Sequence, residues 1–377
     1  MPFLMSKSIK DHNSCTGCGV CSIVCLKNAI AFIDDSKGFR RPVVNSNCVD
    51  CGLCVKRCHE YKALLGQRIQ KAYTAYSYDA QIRNVSSSGG VFSEIAIKII
   101  KEGGFVCGAA FDNDFVLRHR IVDSIDDLEG LRKSKYLESE LSHIWKKIKT
   151  RLANNQIGVF VGTPCQCAAL HSFLGKDADN LLVCDFICHG VASPLVFEKY
   201  KKHLKDLYGP PKIIEFRHKE NGKGSYFYYK GDNGKFMIQN YKESYPYAYA
   251  SGLIIADDCT NCRYCTLERY SDVTLGDYVS GTIDYSKSTI FANTQKGIDF
   301  LRSCGENLII QEENLQDVIK RSWHLTAPNN PNPKRALVFS ELDKPYGYLE
   351  KKYFHLPSKL ERYTQALKKK IKNYIHI

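Results

Sequence analysis

Two cysteine runs constrain this chain more than anything else in it. "CTGCGVCSIVC" at 15–25 carries Cys15, Cys18, Cys21 and Cys25, and "CVDCGLCVKRC" at 48–58 carries Cys48, Cys51, Cys54 and Cys58. Each cysteine of the first run has a counterpart 33 positions later, so chemistry is repeated along with sequence. The start, "MPFLMSKSIKDHNSC", lacks the apolar core of a signal peptide. No stretch approaches the roughly 18 uninterrupted apolar residues of a spanning helix. The expected compartment is the cytoplasm, where thiols stay reduced, so the 17 cysteines read as metal ligands rather than disulfides.

The spacing is C-x2-C-x2-C-x3-C, twice. Three ligands at intervals of three wrap the backbone around one cubane and leave the intervening amides to donate to its sulfurs. The fourth cysteine lies beyond reach of that cube and ligates the other. The expected sets are Cys15, Cys18 and Cys21 with Cys58, and Cys48, Cys51 and Cys54 with Cys25. Gly17, Gly19 and Gly52 suit a loop folded closely over a cluster. The competing readings are a zinc ribbon, which brings two CxxC pairs together, or a reduced cysteine-rich linker. Residues 10–62 resemble a bacterial-type ferredoxin with two 4Fe-4S clusters. One departure is visible: the proline that usually follows the fourth cysteine is Leu26 in one run and His59 in the other. Two clusters in series make an electron conduit.

The remainder reads as a different kind of chain. With 377 residues, 44% hydrophobic and 25% charged, it is ordinary globular material for about two or three domains. "AYTAYSY", "FVCGAAF", "IGVFVG" and "LLVCDFI" read as strands, and "VFSEIAIKIIKEGG", "SIDDLEGLRKSKY", "CAALHSFL" and "LVFEKYKKHLKDLYG" as helices, the second followed by a loop. Their alternation predicts an α/β domain with some parallel sheet. Residues 212–241 turn strand-rich, and Tyr226, Phe227, Tyr228 and Tyr229 either help to cover a pocket or simply pack. The expected fold class is an N-terminal 2x(4Fe-4S) ferredoxin-like domain (1–66) followed by an α/β flavin-binding catalytic domain with mixed sheet (67–330). A basic helical tail (331–377) ends the chain. That tail is expected to pack along one face, with membrane-surface or partner contact as the alternative. The formal charge of +13 suits an acidic redox partner, a phosphorylated cofactor, a membrane surface or nucleic acid. No recognition helix or aromatic-laced basic stripe supports nucleic acid, which is not expected as a partner.

"SSSGGVFSEIA", "LRKSKY", "GTPCQCAAL", "DFICHGVASP" and "CTNCRYCTLERYSDVTLGDY" occur in that order. Together they resemble the coenzyme F420 hydrogenase/dehydrogenase beta subunit family, over about residues 72–330. The resemblance implies a bound FAD and a third 4Fe-4S cluster. Carried over, Ser87, Ser88, Gly89 and Gly90 would contact the flavin nucleotide, and Lys135 and Tyr136 would line its pocket. Thr163, Pro164, Gln166, His189 and Gly190 would lie near its ring or phosphates. The third cluster would take Cys165, Cys188, Cys259 and Cys262, with Cys265 as the rival that displaces Cys165 or Cys188; zinc or a redox disulfide is the other possibility there. Cys107, Cys167, Cys184 and Cys304 read as buried, unligated thiols.

Clusters move one electron at a time, whereas flavin stores two and passes them as a hydride. The expected activity is an FAD- and 4Fe-4S-dependent oxidoreductase carrying electrons from a ferredoxin-type donor to a small organic substrate, with His189 as a proton donor. The alternatives are an electron-input subunit of a larger complex that uses the deazaflavin, and a non-enzymatic iron–sulfur carrier.

Overall fold

The computed structural model describes residue 9 and residues 14–62 and 64–356; the basic stretch beyond 356 lies outside them. Eight strands form one sheet in the order Leu308–Glu313, Lys71–Ser77, Thr282–Ala292, Val273–Ser280, Leu181–Phe186, Gly158–Val161, Phe105–Phe111 and Leu117–Val122. The four strands from Val273–Ser280 to Phe105–Phe111 run parallel, with Val273 opposite Cys184 and Val161 opposite the same residue. All pairings outside them are antiparallel. The sheet is mixed, as the strand–helix alternation implied.

Its parallel strands are apolar throughout because both faces are covered. Val106, Val159, Leu182 and Cys184 turn to one face, where Ile95, Ile99, Ile298 and Leu301 meet them. Their neighbours Phe105, Cys107, Phe160, Leu181 and Val183 turn to the other, against Trp145, Ile148 and Leu170. Period-two alternation thus sorts adjacent residues into separate cores. The helix Val91–Lys101 begins after Gly90, at φ 88°, and gives way to Gly103, at φ 77°, so its sequence-marked limits hold. The stretch expected as a helix at 124–136 forms only a 3-10 turn, Asp126–Leu131. Its buried apolar residues, Leu128 and Leu131, are three apart, which is the eclipsed spacing of that turn.

A further core gathers the helix Pro194–Tyr208 and the sheet of Pro211–Glu220, Lys223–Gly231 and Lys235–Gln239. Phe227 and Tyr229 are fully buried there, so they pack rather than cover a pocket. The helices Arg335–Ser340 and Tyr346–Tyr353 join it through Val338, Tyr346, Leu349 and Tyr353. This part of the expected tail is therefore integral to the core. Among the described residues no helix is long and apolar enough to cross a membrane.

The N-terminal unit holds two short helices, Val20–Val24 and Leu53–Lys56, and a hairpin of Ile30–Asp34 with Arg40–Val44. Gly19 and Gly52 precede the helices at φ 76° and 74°, left-handed conformations that favour glycine. Its own core consists of Ile9, Cys21, Ile30, Cys54, Val55 and Cys58. Cys18 and Val20 belong instead to the core of Trp145, whose indole donates to the Cys18 carbonyl at 2.8 Å. The unit is thereby anchored on the main sheet's helical layer.

Candidate functional site

The first thiol set forms where the two runs meet. Cys18, Cys21 and Cys58 are buried and Cys15 is half-buried. Burial raises the pKa of all four, and repulsion from neighbouring thiols adds to it; Cys15 is pushed up to about 11. Crowded thiolates in an apolar space are unfavourable on their own and become favourable around a cationic metal core. Amides turn inward, Gly17 N–H donating to Cys15 Sγ at 3.4 Å and Ala29 N–H to Cys25 Sγ at 3.3 Å. Cys25 packs against the small core that holds Cys54, whereas Cys51 stands exposed. Among the described residues no three of His, Cys, Asp or Glu close on a single ion. A cubane asks for something else, four thiolates around a shared space with each on its own iron.

Strand ends build the second site. The carboxyl ends of parallel strands are where α/β sheets place ligands. Gly158–Val161 leads into Thr163, Pro164 and Cys165, and Leu181–Phe186 into Cys188, His189 and Gly190. A cavity of about 210 Å³ opens there, lined by Cys165, Cys188, Cys259, Cys262 and Cys265, and also by Cys15 of the first set. Burial raises Cys165, Cys188 and Cys259, and neighbouring thiols raise them further; Cys188 is pushed up to about 12. A hydrogen bond between Cys262 and Cys265 lowers the first and raises the second. Thr163 Oγ1 lies 3.0 Å from Cys165 Sγ, and Gly190 N–H donates to Cys188 Sγ at 3.4 Å. A buried ion pair, Arg269 to Asp185 at 2.8 Å, holds the cysteine-rich loop, because Arg269 also donates to the Tyr264 carbonyl at 3.2 Å. Thr163, Pro164, Gln166 and Gly190, expected beside a flavin, all line this cavity. Gln166 is a capping residue, its Oε1 accepting from Thr163 N–H at 2.9 Å.

The remaining expected residues assemble next door. Ser134 N–H donates to Ser87 Oγ at 2.9 Å, which ties the "SSSGG" turn to the "KSKY" loop. Tyr136 stacks on Tyr249 with centroids 4.5 Å apart, and the Tyr249 hydroxyl donates to the Gly190 carbonyl at 3.1 Å. Gly89 is required by space, since an added Cβ would lie 2.7 Å from the Ala75 carbonyl oxygen. Sequence reasoning missed three residues here. Arg217 pairs with Asp277 at 3.0 Å and donates to the Ser87 carbonyl at 3.1 Å, Asp277 accepts from Ser88 Oγ, and Lys219 donates to the Ser88 carbonyl at 2.7 Å. Lys135 and Lys219 both donate to main-chain carbonyls, and burial lowers both, Lys135 to about 7 and Lys219 to about 8. Two desolvated cations beside a glycine turn fit the charge of a phosphate-bearing cofactor. His189 connects this site to the cavity, its ring 3.6 Å from that of His324, which lines the cavity. His189 is exposed at one edge, so the desolvation that lowers its pKa is partial.

A ferredoxin-like unit carried on a mixed α/β domain, with thiols gathered at the strand ends, defines an iron–sulfur protein. Comparison with known proteins is more specific. Residues 14–61 match the 4Fe-4S dicluster domain, and residues 72–146 and 156–318 match the N-terminal and C-terminal parts of the coenzyme F420 hydrogenase/dehydrogenase beta subunit. The chain belongs to that family of oxidoreductases. A coenzyme F420-dependent sulfite reductase of Methanocaldococcus jannaschii is 29% identical over 167 residues, 43% of this chain and 25% of that protein. An uncharacterised protein of the same organism is 27% identical over 212 residues, 47% of this chain and 57% of that one. The chain thus spans at most a little over half the length of these relatives. A chain of the F420-reducing NiFe hydrogenase complex from Methanosarcina barkeri superposes with a TM-score of 0.48 and 15% identity, covering 73% of this chain and 93% of that chain.

Proposed function

We propose that this chain is an electron-input component that exchanges electrons with a deazaflavin-type hydride carrier, within a larger redox assembly. The observation that carries the reading is the cavity in which Cys15 of the N-terminal unit meets five thiols of the main domain. It gives electrons a continuous course: the set with exposed Cys51 outermost, the Cys15 set next, the strand-end set innermost. The proposed ligands are Cys15, Cys18, Cys21 and Cys58, then Cys25, Cys48, Cys51 and Cys54, then Cys165, Cys188, Cys259 and Cys262. Cys265 stands as hydrogen-bond donor to Cys262. FAD would be held by Ser87, Ser88, Gly89 and Gly90 with Lys135, Tyr136, Arg217 and Lys219. Bound there, flavin supplies the exchange between single electrons and a hydride. His189 and His324 sit between the two sites; burial lowers both, Arg217 lowers His189 further while Asp277 opposes it, and His189 lowers His324 further.

The dependence of one relative on coenzyme F420 moves the weight toward this role and away from a self-contained reductase of a small organic substrate. The second reading keeps one support, the fused N-terminal unit that gives the chain its own input port. Protein purified without oxygen should carry about 12 iron atoms, four for each cluster, together with flavin absorption bands. It should reduce or oxidise F420 in stoichiometric complex with its partner. A flavin-free protein after reconstitution leaves an iron–sulfur carrier, and reduction of another organic acceptor without partner or F420 favours the second reading.

A further inference from the structure

Side chains with no ligand role join the first and third thiol sets. His59 directly follows Cys58 and is 1% exposed, and Tyr264 lies between Cys262 and Cys265 and is 4% exposed. His59 Nε2 is 3.0 Å from Oγ1 of Thr16, which stands between Cys15 and Cys18. His59 Nδ1 is hydrogen-bonded to the Tyr264 hydroxyl. That hydroxyl donates to Glu60 Oε1 at 2.7 Å, so it accepts from His59 Nδ1–H, and the other ring nitrogen is left to pair with the Thr16 hydroxyl. The Tyr264 ring packs against His59 at 5.6 Å and edge-on against Tyr270 at 5.7 Å. Arg263 closes the junction by donating to the Glu60 carbonyl at 2.9 Å. Position 59 is also where the sequence departs from the ferredoxin pattern, since a proline ring could bond neither neighbour.

We propose that Thr16, His59 and Tyr264 are the joint through which the N-terminal unit and the third thiol set exchange electrons. The proposal deepens the function above and rests on its reading that both sets hold clusters. The three side chains position one ligand loop against the other and provide a hydrogen-bonded path across the junction. In each transfer one electron leaves one of the two sets and arrives at the other; no proton crosses, because every hydrogen in the chain stays on its donor. Buried, fully partnered networks of this kind hold a single geometry.

The test uses oxygen-free holoprotein mixed with sub-stoichiometric dithionite, a one-electron donor, and freeze-quenched for electron paramagnetic resonance. Tyr264→Phe removes the hydroxyl and keeps the ring, and Thr16→Val breaks the opposite end with an isosteric side chain. With iron unchanged, both variants should redistribute electrons from the N-terminal signals to the third several-fold more slowly than the unsubstituted protein. Equal rates in all three proteins, at full iron, would reduce the network to packing and overturn the joint. About 8 iron atoms in the unsubstituted protein would instead remove the third cluster itself, a failure that the iron assay separates from the first.

Discussion

Lys135 shows how much chemistry one desolvated side chain can hold. Its ammonium donates to the carbonyls of Arg132 at 2.6 Å and Lys133 at 3.2 Å. Burial lowers its pKa to about 7; Arg120 and Lys133 push the same way, while Glu129 and Glu215 oppose. An unfolded lysine titrates near about 10.4. Between those values the unfolded chain keeps a proton that the folded chain has lost, so this residue makes stability rise with pH across that window. An anion at the site favours the protonated form, so binding takes up a proton and weakens as pH climbs. We expect FAD affinity, followed by calorimetry, to fall as pH rises through about 7 and about 8, where Lys135 and Lys219 titrate. The fall approaches about tenfold per pH unit for one coupled proton. Lys135→Met should flatten it, and a profile identical to that of the unsubstituted protein would exclude Lys135 from the site.

At the scale of elements, the site depends on how one helix begins. Gln166 is buried and bonded at both ends of its amide, accepting from Thr163 N–H and donating to Ser139 Oγ at 3.1 Å, while Ser139 reaches His119 Nδ1 at 2.9 Å. Gln166→Leu orphans the buried Thr163 N–H, at a cost of about 1–3 kcal/mol, while the Ser139 hydroxyl keeps His119. Denaturant unfolding should show a midpoint shift of that order at unchanged slope. Elements were also what the sequence displayed best. Short apolar runs bounded by glycine marked the parallel strands, and the repeated cysteine spacing marked the dicluster domain that residues 14–61 match. Arg217 and Asp277 stayed hidden because each sits inside a strand, and alternation alone does not tell which neighbour an outward residue will face. Cys165, Cys188 and Cys259 were grouped through family resemblance, since the sheet order that unites them leaves no local trace. The helix expected at 124–136 failed because periodicity cannot separate a 3-10 turn from one turn of α-helix.

For the whole molecule the two units differ in what holds them together. The main domain buries three extensive apolar cores, whereas half of the N-terminal core consists of cysteine. A domain that small relies on its metal for stability. Stripping iron with chelator and oxidant should open the N-terminal unit to protease while the eight-stranded sheet survives, giving two thermal transitions in place of one. Trp145, fully buried and bonded to the Cys18 carbonyl, should report the loss as a fluorescence change. A single cooperative transition of the iron-free protein would show that docking on the sheet suffices to fold the unit.

Cys51 is the one cysteine of the seventeen that is exposed. On the proposed course, the end of the chain of clusters that would face the partner is therefore also the end most open to oxygen. Corrosion should start at that outer thiol and travel inward along the same route as the current, leaving the innermost redox centre to fail last.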